Sequence, residues 1–245
     1  MKIIEVQDYQ QMSNRAAEYI IKKVVQNPSI KLGLATGGTP IGTYKGLIED
    51  HQKNGTSYQK VTTFNLDEYI GLSGENKNSY RYFMNNQLFN YIDINKEKTN
   101  IPSGIAADFD DECNRYEDLI TKQEGIDLQI LGIGSNGHIG FNEPGTSFES
   151  KTHIVDLAPS TIQANARFFN RIEDVPTKAI TMGISTIMKS KEILLLVSGD
   201  KKKETLFRLL NGEISESFPA SVLNNHPYVT IIADKAVVAD LKVQC

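Results

Sequence analysis

The sequence predicts an α/β fold: a doubly wound, mostly parallel sheet flanked by helices on both faces, forming a single domain over residues 1–245. Short apolar runs recur along the whole chain, each followed by a stretch of helical pattern. Several runs barely alternate between apolar and polar, which is how strands buried on both faces read. No internal repeat and no Pro/Gly/Ser-rich linker divides the chain.

The elements follow in order. A helix over Asp8–Val25 precedes the run Lys31–Thr36 (KLGLAT), which leads into a helix over Pro40–His51. Val61–Leu66 (VTTFNL) comes next, then helical patterns over Ser79–Phe89 and Asp108–Lys122. Asp127–Ile133 (DLQILGI), a helix over Thr161–Phe169, and the runs Lys178–Ile184 (KAITMGI) and Glu192–Val197 (EILLLV) complete the middle. A helix over Lys201–Asn211 and the run Tyr228–Ala233 (YVTIIA) close the pattern.

Composition narrows the function classes. With 40% hydrophobic and 23% charged residues, and only 8 Pro among 245 residues, the chain is neither disordered nor collagen-like. A net charge of −4 argues against a nucleic-acid footprint or an anionic membrane surface. The longest aliphatic run, Ile193 to Val197, falls far short of the ~20 residues needed to cross a bilayer. Cys113 and Cys245 make neither a disulfide framework nor a zinc site, and such sparing use of thiols suits a reducing compartment. The expectation is a cytoplasmic protein with a small-molecule substrate, no nucleic-acid or membrane partner, and a monomeric or homo-oligomeric state.

In open α/β sheets ligands bind outside the carboxyl ends of the strands, so the residues just after each run carry the functional reading. After KLGLAT comes Thr36-Gly37-Gly38-Thr39-Pro40. Two glycines allow a tight turn with converging N–H groups, Thr39 fits an N-cap and Pro40 the first helical position. Free N–H groups at a helix start suit a phosphate; the bland alternative is an ordinary strand-to-helix turn. After VTTFNL come Asp67 and Glu68, placed for a general base. In extended chain their side chains point to opposite sides, so one of them faces the site; the alternative is a solvated acidic loop.

The densest segment, Gly132 to Gly145 (GIGSNGHIGFNEPG), follows DLQILGI. Residues 132–137 match the dinucleotide pattern Gly-x-Gly-x-x-Gly, and Asp156 lies near the ribose-binding distance. That fingerprint needs a helix to start here, and Gly140, Pro144 and Gly145 leave little room for one. The segment reads instead as a glycine-shaped loop presenting His138 between Asn136 and Glu143. An imidazole can take and give a proton near neutral pH, and a carboxylate and an amide nearby can fix its tautomer. A metal reading through His138, His153 and Glu143 lacks compact ligand spacing. Two cations complete the set: Arg167, on the helix that Ser160-Thr161 would cap, and Lys202, in Asp200-Lys201-Lys202-Lys203. If Asp200 caps that last helix, three lysines oppose its dipole, a conflict that a bound phosphate would relieve.

Together LATGGTP, TTFNLDEYIGL, LGIGSNGHIGFNEPG, the ANARFF segment and LLLVSGDKK resemble the glucosamine-6-phosphate deaminase family, its shorter bacterial members above all. The likeness spans nearly the whole chain in order. It implies conversion of glucosamine 6-phosphate and water to fructose 6-phosphate and ammonia, in amino-sugar catabolism, with no metal and no cofactor. It also implies that Asp67 moves protons at carbon and that His138, assisted by Asn136 and Glu143, opens the sugar ring. The phosphate would lie on Gly37, Gly38 and Thr39 with Arg167 and Lys202.

Two departures stand out. Many members carry aspartate where this chain has Asn136. The activator-site cations of longer, allosteric members would fall at His153 and Val155, so activation by N-acetylglucosamine 6-phosphate is not expected here. Rival readings are a 6-phosphogluconolactonase-like hydrolase, a non-catalytic sugar-phosphate sensor and a nicotinamide-dependent dehydrogenase. The stretch Thr146–Leu157 is expected to form a lid.

Overall fold

The computed structural model describes residues 1–166, 169 and 171–239 of the chain. Among them, strands β1 (Lys2–Val6), β2 (Lys31–Leu34), β3 (Thr62–Asn65), β5 (Thr99–Asn100), β6 (Leu128–Leu131), β9 (Ile193–Val197) and β10 (Val229–Asp234) build one sheet in the order β1-β10-β9-β6-β2-β3-β5. Every pairing in it is parallel. Successive residues of β9 show why the run does not alternate. Ile193, Leu195 and Val197 join one hydrophobic core, while Leu194 and Leu196 join the core on the other face. Each such fully buried aliphatic side chain contributes roughly 1.5–3 kcal/mol of transfer free energy.

Helices cover both faces as a doubly wound sheet requires. Helix α1 (Tyr9–Gln26) is capped by Asp8, whose side chain accepts from Gln11 N, and it buries Met12, Ala16, Ile20 and Val24 at helical spacing. It packs with α2 (Ile41–Asn54) and α3 (Tyr80–Met84) on one face; the other carries α4 (Phe109–Lys122), α7 (Lys203–Asn211) and α8 (Lys235–Val238). No helix among the described residues is long and apolar enough to cross a membrane.

The sheet order reverses between β2 and β6. From β2 the chain moves outward through β3 to β5, and the later strands β6, β9 and β10 add on the opposite side. That reversal opens a crevice at the carboxyl ends of β2 and β6.

The structure departs from the sequence expectation in how the strands are divided between sheets. The run beginning at Lys178 is not part of the parallel sheet. As β8 (Lys178–Thr181) it is the middle strand of a separate antiparallel sheet, between β4 (Asp67–Tyr69) and β7 (His153–Asp156). A continuous apolar run reports burial on both faces but carries no information about strand direction or sheet membership. The edge strand β1 also goes unanticipated, because only alternate residues of it are partly buried. The stretch expected to act as a lid is tied down. Its second half is β7, Thr152 bonds to Glu117 through both N–H and hydroxyl, and Phe148 N–H donates to Glu216.

Candidate active site

A cleft of about 400 Å³ lies at the β2/β6 crevice, within the size range of small-ligand sites. It is lined by the turn after β2, by Asp67 at the start of β4, by the loop after β6 and by Lys202. Elements far apart in sequence thus converge on one site.

The turn after β2 contributes Thr36 to Thr39. Gly37 takes φ +88°, the left-handed region that glycine occupies without strain. Helix α2 starts one residue later than expected: Pro40, not Thr39, holds the cap position, and no side chain from the turn caps the helix. The first-turn N–H groups are therefore left to partners from elsewhere.

Asp67 reaches the cleft because β4 turns out of the main sheet to pair with β8, placing Asp67 opposite Thr181. It is 6% exposed. Burial, with the charge of Glu68 adding to it, pushes its carboxyl up to about 8. No described residue donates a hydrogen bond to this carboxylate. Glu68 points away from the cleft and accepts N–H bonds from Tyr69, Tyr80 and Arg81, each at 2.9 Å. One of the two adjacent carboxylates faces the site, as the extended backbone requires.

The loop after β6 forms no helix, in keeping with its reading as a histidine loop rather than a dinucleotide fingerprint. It closes on itself: Gly134 N donates to His138 O at 2.9 Å and Gly137 N to Gly134 O at 3.0 Å. A Cβ on Gly134 would lie 2.3 Å from the His138 ring, so the glycine makes room for the imidazole. Gly140, at φ +58°, passes close to the Asp67 carboxylate; a Cβ there would lie 3.6 Å from Asp67 Oδ2. The histidine loop and Asp67 are thereby in direct apposition.

Glu143 is held from two directions. Asn136 Nδ2 donates to its Oε2 at 2.6 Å, and the Thr161 hydroxyl donates to its Oε1. His138 Nδ1 lies 3.6 Å from that same Oε1, an ion-pair separation slightly too long for a hydrogen bond, and the nitrogen has no other partner among the described residues. Burial alone would raise Glu143, but His138, Thr161 and Asn136 together hold its carboxyl at about 2. It is held as a carboxylate, with Oε1 facing the His138 ring.

Lys202 reaches in from the other side, with Nζ donating to Ile133 O at 2.7 Å and burial lowering its pKa. The expected cap by Asp200 is absent. Gly199 takes φ +93°, Asp200 to Lys202 form a 3₁₀ turn, and Lys203 pairs with Asp200 at 3.7 Å. The loop is braced instead by Asp234, which accepts from Ser198 Oγ and Gly199 N.

Arg167 lies outside the described residues, and so does Cys245. The helix before Arg167, α5 (Pro159–Asn165), begins at Pro159 with Ala158 in the cap position. Thr161 therefore does not cap it and turns its hydroxyl to Glu143 instead.

Two residues escape the sequence reading. Thr161 is one. Tyr80 is the other: it lines the cleft, bonds Tyr69 OH at 3.2 Å and stacks on Phe141 with ring centroids 6.1 Å apart. Both sit at the starts of helices rather than at strand ends. Among the described residues no group of three His, Cys, Asp or Glu side chains is arranged to hold a metal ion.

Comparison with known proteins agrees with this geometry. The sequence profile of the family described as glucosamine-6-phosphate isomerases/6-phosphogluconolactonase matches residues 7–232. The glucosamine-6-phosphate deaminase of Halalkalibacterium halodurans is 60% identical over 235 residues, 96% of this chain and 96% of that protein. That of Shouchella clausii is 57% identical, covering 96% and 95%. Among solved structures, that of a monomeric glucosamine-6-phosphate deaminase superposes with a TM-score of 0.96 at 51% identity, covering 98% of this chain and 99% of that one. A 6-phosphogluconolactonase from Trypanosoma cruzi shares the fold, at a TM-score of 0.78 and 20% identity over 100% and 97% of the two chains.

Proposed function

The chain belongs to the glucosamine-6-phosphate isomerase/6-phosphogluconolactonase family, and from that premise we propose that its cleft converts glucosamine 6-phosphate and water to fructose 6-phosphate and ammonia, with His138 and Asp67 moving the protons. The relatives at 52–60% identity that share the deaminase name support the activity. The observation that carries the roles is the bare, buried Asp67 carboxylate beside the histidine loop, in a cleft bounded by a glycine turn and a lysine.

The cyclic sugar hides its aldehyde. His138, oriented by Glu143 and Asn136, takes the proton of the anomeric hydroxyl and passes it to the ring oxygen as the C1–O5 bond breaks. The resulting aldehyde acidifies the C2 hydrogen. Asp67 removes that proton as the substrate's ammonium passes one of its own to the C1 oxygen, and the intermediate is an enolamine. Returning the proton to C1 leaves an imine at C2, which adds water and expels ammonia. A carboxylate whose proton affinity is raised by burial is a stronger base than one in water, provided that it is ionised when the substrate arrives. The ammonium of the substrate favours that ionised form.

The phosphate would rest on Gly37, Gly38 and Thr39 with Lys202 and Arg167, far enough from C1 and C2 to supply orientation rather than chemistry. The reaction as written needs no metal and no organic cofactor. The setting we expect is the cytoplasm, with the chain working as a monomer or a homo-oligomer.

The decisive experiment is an ammonia assay on the purified protein with glucosamine 6-phosphate and no added metal or nucleotide. Ammonia release with stoichiometric fructose 6-phosphate is expected. Hydrolysis of a 6-phosphogluconolactone without ammonia release would overturn the reading.

A further inference from the structure

The start of α2 takes its cap from another helix. Tyr9, the first residue of α1, donates its hydroxyl hydrogen to Gly38 O at 3.1 Å and accepts from Gly42 N–H at 3.0 Å. One phenolic oxygen thereby spans the turn after β2, from the glycine that lines the cleft to the first turn of α2. In a trans peptide the carbonyl and the following N–H point opposite ways. Holding Gly38 O against Tyr9 therefore aims the Thr39 N–H away from α1, and Gly38 and Thr39 both line the cleft. The platform behind the turn is close-fitting. A Cβ on Gly42 would lie 2.3 Å from Ser13 Oγ, and one on Gly46 would lie 2.6 Å from Ala17 Cβ. Helix α1 cannot drift from α2 without opening those contacts, so the Tyr9 hydroxyl has a fixed origin.

From this we infer that Tyr9 is a positioning residue for the phosphate-binding turn, presetting the Gly38–Gly42 backbone so that its remaining N–H groups are aimed before substrate arrives. The inference rests on the reading above that this turn holds the phosphate. Without the hydroxyl, Gly38 O and Gly42 N–H turn to water, and the phosphate has to order the turn as it binds. That cost falls equally on the bound substrate and the transition state, so it enters KM and not kcat.

The test is Tyr9→Phe, which keeps the ring and removes only the hydroxyl. KM for glucosamine 6-phosphate and the inhibition constant of inorganic phosphate are expected to rise together, about fivefold for the loss of one or two net hydrogen bonds. The kcat is expected to stay within about twofold. An unchanged KM and phosphate inhibition constant overturns the inference, whatever happens to the melting temperature. So does a fall in kcat at constant KM. Lys202→Ala, measured alongside, separates this inference from the one beneath it. If Lys202→Ala weakens phosphate inhibition and Tyr9→Phe does not, only the role of Tyr9 fails. If neither variant weakens it, the turn is not the phosphate site and both readings fall.

Discussion

Asp67 and Glu68 are neighbours in the chain, both buried, and only one of them is supplied with hydrogen bonds. Glu68 takes three backbone N–H groups at 2.9 Å, while the Asp67 carboxylate faces the cleft with none from any described residue. The pleat of β4 produces the difference, since successive residues of a strand face opposite sides. Glu68 fastens the start of α3, and Asp67 is left with its proton affinity raised.

Asp67→Asn tests the base twice. The kcat is expected to fall about 10²–10⁴-fold with KM nearly unchanged. Stability should move the other way. The folded chain holds the Asp67 proton up to about pH 8, whereas an unfolded aspartate releases it near about 4. Between those values folding loses stability as pH rises, and asparagine escapes that loss. The variant should melt above the parent protein by a margin that is larger at pH 8 than at pH 5. An equal margin at both, read by thermal melts, would show that Asp67 is not perturbed.

The pH profile of kcat/KM reports groups in the free enzyme. It should climb through the neutral range, pass its midpoint near about 8, where Asp67 is half ionised, and level off only roughly a unit higher. A profile already flat from about pH 6 upward would place the base's titration elsewhere.

Asn136→Asp sets a second carboxylate where an amide now sits 2.6 Å from Glu143 Oε2. Two carboxyl groups that close cannot both ionise freely, so the pair takes up a proton at higher pH than Glu143 does alone. Activity below neutrality should fall more steeply in the variant than in the parent. Superimposable acid limbs would mean that Glu143 does not support His138.

Gly134→Ala tests the seat of the imidazole. The added methyl would fall 2.3 Å from the His138 ring, which must rotate away. A loss of roughly 10- to 100-fold in kcat is expected from such a misplacement, with cooperative melting retained. Wild-type turnover would show that the ring orientation does not limit the reaction.

Most of the fold, and most of the residues that meet at the candidate cleft, are legible in the sequence because the informative residues cluster at strand ends. The runs at Lys31, Val61, Asp127, Glu192 and Tyr228 are strands of the parallel sheet, and the loop from Gly132 to Gly145 keeps its histidine out of a helix, as its glycines and proline require. What escapes depends on tertiary packing. Nothing in KAITMGI says that it will run antiparallel between Asp67 and His153. Thr161 reads as a cap, since a hydroxyl before a helical pattern is a local signal, yet its partner Glu143 lies 18 residues away in sequence. The glycine turn shows the same limit, because the hydroxyl that fastens it is 29 residues upstream of Gly38.

Asp67 is delivered by the small antiparallel sheet, whereas the glycine turn and the histidine loop extend directly from the seven-stranded one. The two layers can therefore diverge under separate selection. Substitutions that add, remove or re-aim a proton acceptor at the start of β4 leave every rung of the main ladder intact, so a lineage can trade one sugar-phosphate chemistry for another without first risking the integrity of its scaffold.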